Sequence, residues 1–204
     1  MKKIGLTLLA LIIIANIGYA YYVKHQFVYK TSEEIGELSY MSEAGNDEII
    51  GGEFIVPDSL SSLEDASQII AKIEILDQEK ALNQGLIHYG KVITCDKGDL
   101  KVGDTISIYE PVTSFFTNQV NFYGYSLPFH FGDTYYVYLN PTHSHTGGYI
   151  VSSLKYSKYN LSHDDVKVIN KNLSLRQMAE YDLYSNDEKE IQLYTDFYNQ
   201  VKQK

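Results

Sequence analysis

From Ile4 to Val23 the chain is apolar except at Thr7 and Asn16, and Lys2 and Lys3 precede the run. Twenty residues span about 30 Å as a helix at ~1.5 Å each, the thickness of a bilayer's hydrocarbon core. Leu8, Leu9, Leu11, Ile12, Ile13 and Ile14 cover every face of that helix, which suits lipid rather than one side of a soluble core. Tyr19, Tyr21 and Tyr22 stand at its far end, where rings prefer the membrane interface. The pattern predicts a signal-anchor or transmembrane helix over residues 1–23, starting in the cytoplasm. A second reading stays open: Gly18-Tyr19-Ala20 offers a signal peptidase its small residues, and cleavage near Ala20 would secrete the remainder. No cysteine closes the segment, so a lipoprotein is excluded. Either way the remainder is expected outside the cytoplasm.

Residues 24–57 lack sustained periodicity and read as a stalk or irregular lead-in. From 58 to 158 the pattern alternates with the period of a strand. In "SQIIAKIEIL", Ile69, Ala71, Ile73 and Ile75 share one face, with Lys72 and Glu74 opposite. "GLIHYGKVITC", "TISIYEPV", "NQVNFYGYSL", "TYYVYLNP" and "GYIVSSLKYS" follow, bounded by Gly, Pro, Asn or Asp. Gly90 inside the second run marks a bulge or bend. Such short strands with turn signals between them predict a small antiparallel barrel or sandwich, of which the barrel is preferred. Over 159–204 the period changes. Ser162 with Asp165 predicts a short capped helix through Val166 and Ile169, and Ser185 with Glu188 predicts another. Ile191, Tyr194, Phe197, Tyr198 and Val201 then fall at helical spacing, a stripe that belongs against the barrel. The expected fold class is mainly β (α+β): a small antiparallel OB-like β-barrel with C-terminal helices, preceded by a single transmembrane helix.

Charge narrows the partners. The formal net charge is −9, and without Lys2 and Lys3 the remainder has 15 Lys and Arg against 26 Asp and Glu, a net of −11. Phosphate affinity rests on clustered Lys and Arg, and Arg176 is the only arginine, so no nucleic-acid partner is expected. One cysteine permits no intrachain disulfide.

"CDKGDLKVGDTISIYEP", Cys95 to Pro111, looks like a binding loop but reads as a hairpin. Gly98 and Gly103 suit positive φ, and Asp96, Asp99 and Asp104 suit turns. A phosphate loop would lead into a helix, whereas a strand follows here. A calcium loop counted from Asp96 would need glutamate at its twelfth position, where Ser107 stands. No cofactor is implied.

The segments "SLEDASQIIAKIEIL", "GKVITCDKGDLKVGDTISIYEP" and "FGDTYYVYLNP" carry a resemblance. Over about residues 58–140 the chain resembles uncharacterised exported or membrane-anchored proteins of Gram-positive bacteria. Their barrels look OB-like, distantly similar to the inhibitory domain of metalloproteinase inhibitors. Those inhibitors place an N-terminal cysteine amine on zinc. No cysteine lies near the start of this domain, so the resemblance implies a fold and a location without an activity.

Candidate chemistry is sparse. His143 and His145, with His130 and Asp133 before them, form the best metal candidate, since imidazole suits zinc or copper. An HxH pair in a loop lacks the remaining ligands, so no metal residue is assigned. His88 within a strand reads as a packing residue. Cys95 shares its parity with Ile87, Tyr89 and Ile93 and reads as a small buried side chain, not a nucleophile. No G-x-S-x-G occurs, and no catalytic residue is assigned. Tyr136 and Tyr138 lie opposite Tyr135, Val137 and Leu139; they are either exposed for contact or covered by the C-terminal helices. Lys155 and Lys158 read as surface lysines. The expectation is a non-catalytic, membrane-tethered interaction module of the bacterial cell envelope that meets a protein partner. One alternative is cell-wall glycan binding through exposed tyrosines. A second is a metal-dependent site near His130, His143 and His145.

Overall fold

The computed structural model describes residues 2–28, 31–43, 54–82, 85–117, 119–142 and 147–204. In chain order its elements begin with α1 (Lys2–Val28), α2 (Ser32–Gly36), β1 (Ser39–Glu43) and α3 (Leu60–Ala66). Then come β2 (Ile69–Leu82), β3 (Gly85–Lys97), β4 (Thr105–Glu110), β5 (Val112–Thr117), β6 (Gln119–Tyr123) and β7 (Thr134–Pro141). The C-terminal part holds β8 (Tyr149–Val151), β9 (Lys158–Asn160), β10 (Val168–Ile169), α4 (Leu175–Met178), β11 (Leu183–Tyr184) and α5 (Glu188–Val201).

Five strands close into a barrel in the order β2-β3-β4-β8-β7, because β2 also pairs with β7. The alternation read in the sequence fills it: Ala71, Ile73 and Ile75 of β2 meet Val92, Ile106, Ile108, Val137 and Leu139 in one buried cluster. The barrel is not wholly antiparallel. β4 runs parallel to β8, with Ile108 opposite Tyr149 and Tyr109 opposite Ile150. A parallel neighbour needs a long crossover, and residues 111–148 supply one. Part of that crossover builds a second sheet, β1-β6-β5, in which β1 runs parallel to β6. Gln119–Tyr123 of "NQVNFYGYSL" therefore belongs to this sheet rather than to the barrel.

The lead-in differs from a stalk. Thr31 caps α2 with a full capping box, and Ile35, Leu38 and Tyr40 are buried with Val120, Phe122, Leu175 and Met178. Residues from Ser59 begin with a helix, α3, capped by Ser59 itself, and the strands start only at Ile69. No helix forms at Ser162–Ile169. Val168 and Ile169 instead pair in parallel with Leu183 and Tyr184. The second C-terminal helix does form as α5, capped by Asp187 rather than Ser185. Its stripe is buried as expected: Tyr194, Phe197, Tyr198 and Val201 pack on Tyr136, Tyr138 and Tyr159 on the outer side of the barrel.

Among the described residues no helix is long and apolar enough to cross a membrane, so a span over residues 1–23 is not established by the fold. What α1 does show is a helix whose apolar side chains stand clear of the body. Leu8, Ile14 and Ile17 are 60, 66 and 65% exposed, and Val23 is packed against the α2/β1 cluster.

Candidate functional site

The Gly/Asp stretch is a hairpin. It joins β3 to β4 through Gly98 at φ 103° and Gly103 at φ 89°, and Asp104 Oδ2 accepts from the Lys101 amide at 3.0 Å. Cys95 is half-buried and donates to the Lys97 carbonyl at 3.2 Å. Its parity with Ile93 is broken by register shifts: Ala71 opposes Cys95 and Ile73 opposes Val92. Ile93 is the extra residue of a bulge and points out, whereas Cys95 packs against the barrel core. Gly90 keeps regular register with Ile75 and Ile106; a Cβ there would meet Ile73 Cδ1 at 2.9 Å. The irregularity sits opposite it, in β2.

That irregularity builds a polar site. β2 passes from the pair Ile75–Gly90 directly to Glu79–His88, so residues 76–78 bulge and Glu79 is set beside His88. Across β3, His88 opposes Ile108 and Leu86 opposes Glu110. Side chains opposite one another share a face, so Glu79, His88 and Glu110 converge on one surface near the barrel's end. Lys158 of β9 and Phe129 and Phe131 of the 127–131 segment pack against them. Lys158 Nζ donates to Glu110 Oε1 at 2.7 Å and to the Leu127 carbonyl, and lies 4.3 Å from the Phe129 ring centroid. Lys158 is thus buried, not a surface lysine.

Burial governs the protonation here. It pushes Glu79 up to about 8, helped by the negative charges of Glu110 and Asp77. It pushes the His88 imidazole down to about 3, helped by the charge of Lys158. Both shifts favour the uncharged forms, a carboxylic acid and a neutral ring, which lie 3.8 Å apart, too far for a hydrogen bond. Burial also drives Glu110 up and Lys158 down, and each one's charge and hydrogen bond hold the other back. Neither ring nitrogen of His88 has a hydrogen-bond partner among the described residues, and neither has Glu110 Oε2.

The unpartnered ring faces a cavity of about 190 Å³ between the barrel end and α2/α4. His88 and Glu79 form its floor; Leu86, Phe129, Leu175 and Ala179 wall it. Arg176 and His130 stand at the mouth, Arg176 Nη1 3.3 Å from Glu37 Oε1 and His130 Nδ1 3.1 Å from Asp133 Oδ2.

His130 and Asp133 are therefore together as expected, but His143 and His145 lie outside the described residues. Among the described residues no three His, Cys, Asp or Glu side chains could hold a metal ion. His88 is buried, as a packing residue should be, yet its ring nitrogens find no hydrogen-bond partner among the described residues. Glu79, Glu110 and Lys158 escaped the sequence reading, although Glu110 carried a signal: it continues the inward parity of Ile106 and Ile108. No protein-family model, no curated protein and no solved structure matches the chain.

Proposed function

We propose that the protein is a membrane-tethered interaction module of the bacterial cell envelope, acting by binding on the extracytoplasmic side. The observation that carries this is α1. A 27-residue helix that exposes leucine and isoleucine all round leaves an apolar surface suited to contact with lipid, which supports the reading. Lys2 and Lys3 at its start favour a cytoplasmic N-terminus, with the acidic body outside. The barrel strands, numbered 1 to 5 along the chain, close in the order 1-2-3-5-4-1, which supports an OB-like reading, and barrels of that kind serve as binding platforms. A protein partner in the envelope is the favoured ligand class for the module as a whole. Tyr136 and Tyr138 are buried beneath α5, so a cell-wall glycan reading loses the rings it relied on.

The test uses the full chain. It should sediment with membranes and resist alkaline carbonate, and Ile13→Lys should release it. Val102 is 75% exposed in the β3–β4 hairpin, so Val102→Cys in a Cys95→Ser background should react with an impermeant maleimide on whole cells. Solubility of the unaltered chain, or labelling of Val102→Cys only after lysis, would overturn the proposal.

A further inference from the structure

The cavity above the Glu79–His88 pair has a composition that selects a ligand, and this inference stands independently of the tether. Its walls are apolar, through Leu86, Phe129, Leu175 and Ala179. Its floor holds the His88 ring, 1% exposed, and neither ring nitrogen has a hydrogen-bond partner among the described residues, although buried polar groups are nearly always satisfied. A neutral imidazole offers one N–H and one bare nitrogen, and a protonated Glu79 offers an O–H and a carbonyl oxygen. Such a floor presents donors and acceptors side by side and carries no charge of its own. Of the charged groups nearby, Glu110 and Lys158 neutralise each other at 2.7 Å, and Arg176, at the mouth of the cavity, is paired with Glu37 at 3.3 Å.

We propose that the cavity binds a small uncharged molecule with an apolar body and one carboxamide head, the amide bonding to His88 and Glu79. A carboxamide carries an acceptor and two donors on one carbon, and so can answer both floor residues at once. A carboxylate offers acceptors but no donor, and an ammonium donors but no acceptor, so each leaves part of the floor unanswered; either would also lose its hydration on entering a site walled by apolar side chains. Size agrees. A dry cavity of about 150 Å³ accepts benzene, and this one, at about 190 Å³, has room for one polar group more.

The probes are benzamide, benzoate and benzylamine, titrated against the full chain in one mild detergent and followed by ligand-observed NMR and by thermal unfolding. Benzamide should bind saturably and raise the unfolding temperature, with benzoate and benzylamine at least tenfold weaker. His88→Leu should weaken benzamide at least tenfold while the protein stays folded. Ala179→Met, which fills the cavity from the opposite wall and leaves His88 in place, should do the same and decides the matter if His88→Leu does not fold. Absence of saturable benzamide binding, benzoate binding as tightly as benzamide, or unchanged affinity in the folded variants would each overturn the proposal.

Discussion

Lys158 and Glu110, 48 residues apart, meet at 2.7 Å with both side chains buried, and this pair ties β9 to the end of β4. Removing one partner of such a pair leaves an uncompensated buried charge, at a cost of about 3–5 kcal/mol. Lys158→Met should therefore lower stability by that order in urea unfolding. The double variant Lys158→Met/Glu110→Met should recover most of the loss, because two apolar side chains of similar volume need no counter-charge. A double variant as unstable as the single one would show that the pair matters for packing rather than charge.

Glu79 and His88 should give stability opposite pH slopes. The unfolded chain releases the Glu79 proton near 4.5 and the folded one holds it to about 8, so this group's contribution is full below pH 4.5 and is lost as pH rises to 8. His88 contributes fully above 6.5, and that contribution is lost as pH falls toward 3. Each slope is about 1.4 kcal/mol per pH unit where it acts. Glu79→Gln should gain on the wild type between pH 6.5 and 8, and His88→Leu should gain between pH 6.5 and 4. The surrounding charges, Glu110, Asp77, Lys158 and Arg176, are the same in both comparisons. Urea midpoints at pH 4, 6.5 and 8 measure both effects, and parallel curves would refute them.

Two glycines of one hairpin should respond differently to alanine. Gly103 has φ 89° and open space where a Cβ would go, so Gly103→Ala meets only the backbone cost of the left-handed region, about 1 kcal/mol. At Gly98 the new Cβ would also collide with Ile69 Cδ1 and lie 3.1 Å from the Gln68 carbonyl oxygen. Overpacking adds about 1–3 kcal/mol. Thermal unfolding should rank Gly98→Ala well below Gly103→Ala.

The barrel's outer tyrosines depend on α5. Phe197 is buried against Tyr156, with ring centroids 6.0 Å apart, and Phe197→Ala should cost about 3–5 kcal/mol. Tyr194 donates its hydroxyl to the Lys158 carbonyl at 2.7 Å, so Tyr194→Phe should cost about 1–3 kcal/mol by stranding a buried acceptor. Both losses are read from urea midpoints.

Local signals carried much of the fold. "TYYVYLNP" is β7 to the residue, and the two faces of "SQIIAKIEIL" divide as its alternation says. What escaped was set at a distance. The parallel pairing of β4 with β8 and the second sheet depend on chain crossovers, and the bulges of β2 and β3 shift parity without any Gly or Pro to announce them. The Ser162–Asp165 capping pattern was present without a helix, since the backbone at Val168–Ile169 found a strand partner instead. The candidate site was the least legible part. It needs a β2 bulge, a β4 terminus and a β9 lysine brought together, and only the inward parity of Glu110 hinted at it.

Because β2 finds β7 as well as β3, the barrel is a ring without a first or last strand. Over Ile70–Glu74, where β2 is paired on both sides, a visiting polypeptide therefore finds no open row of backbone N–H and C=O groups to extend. Along that stretch the barrel offers a visitor side chains rather than backbone.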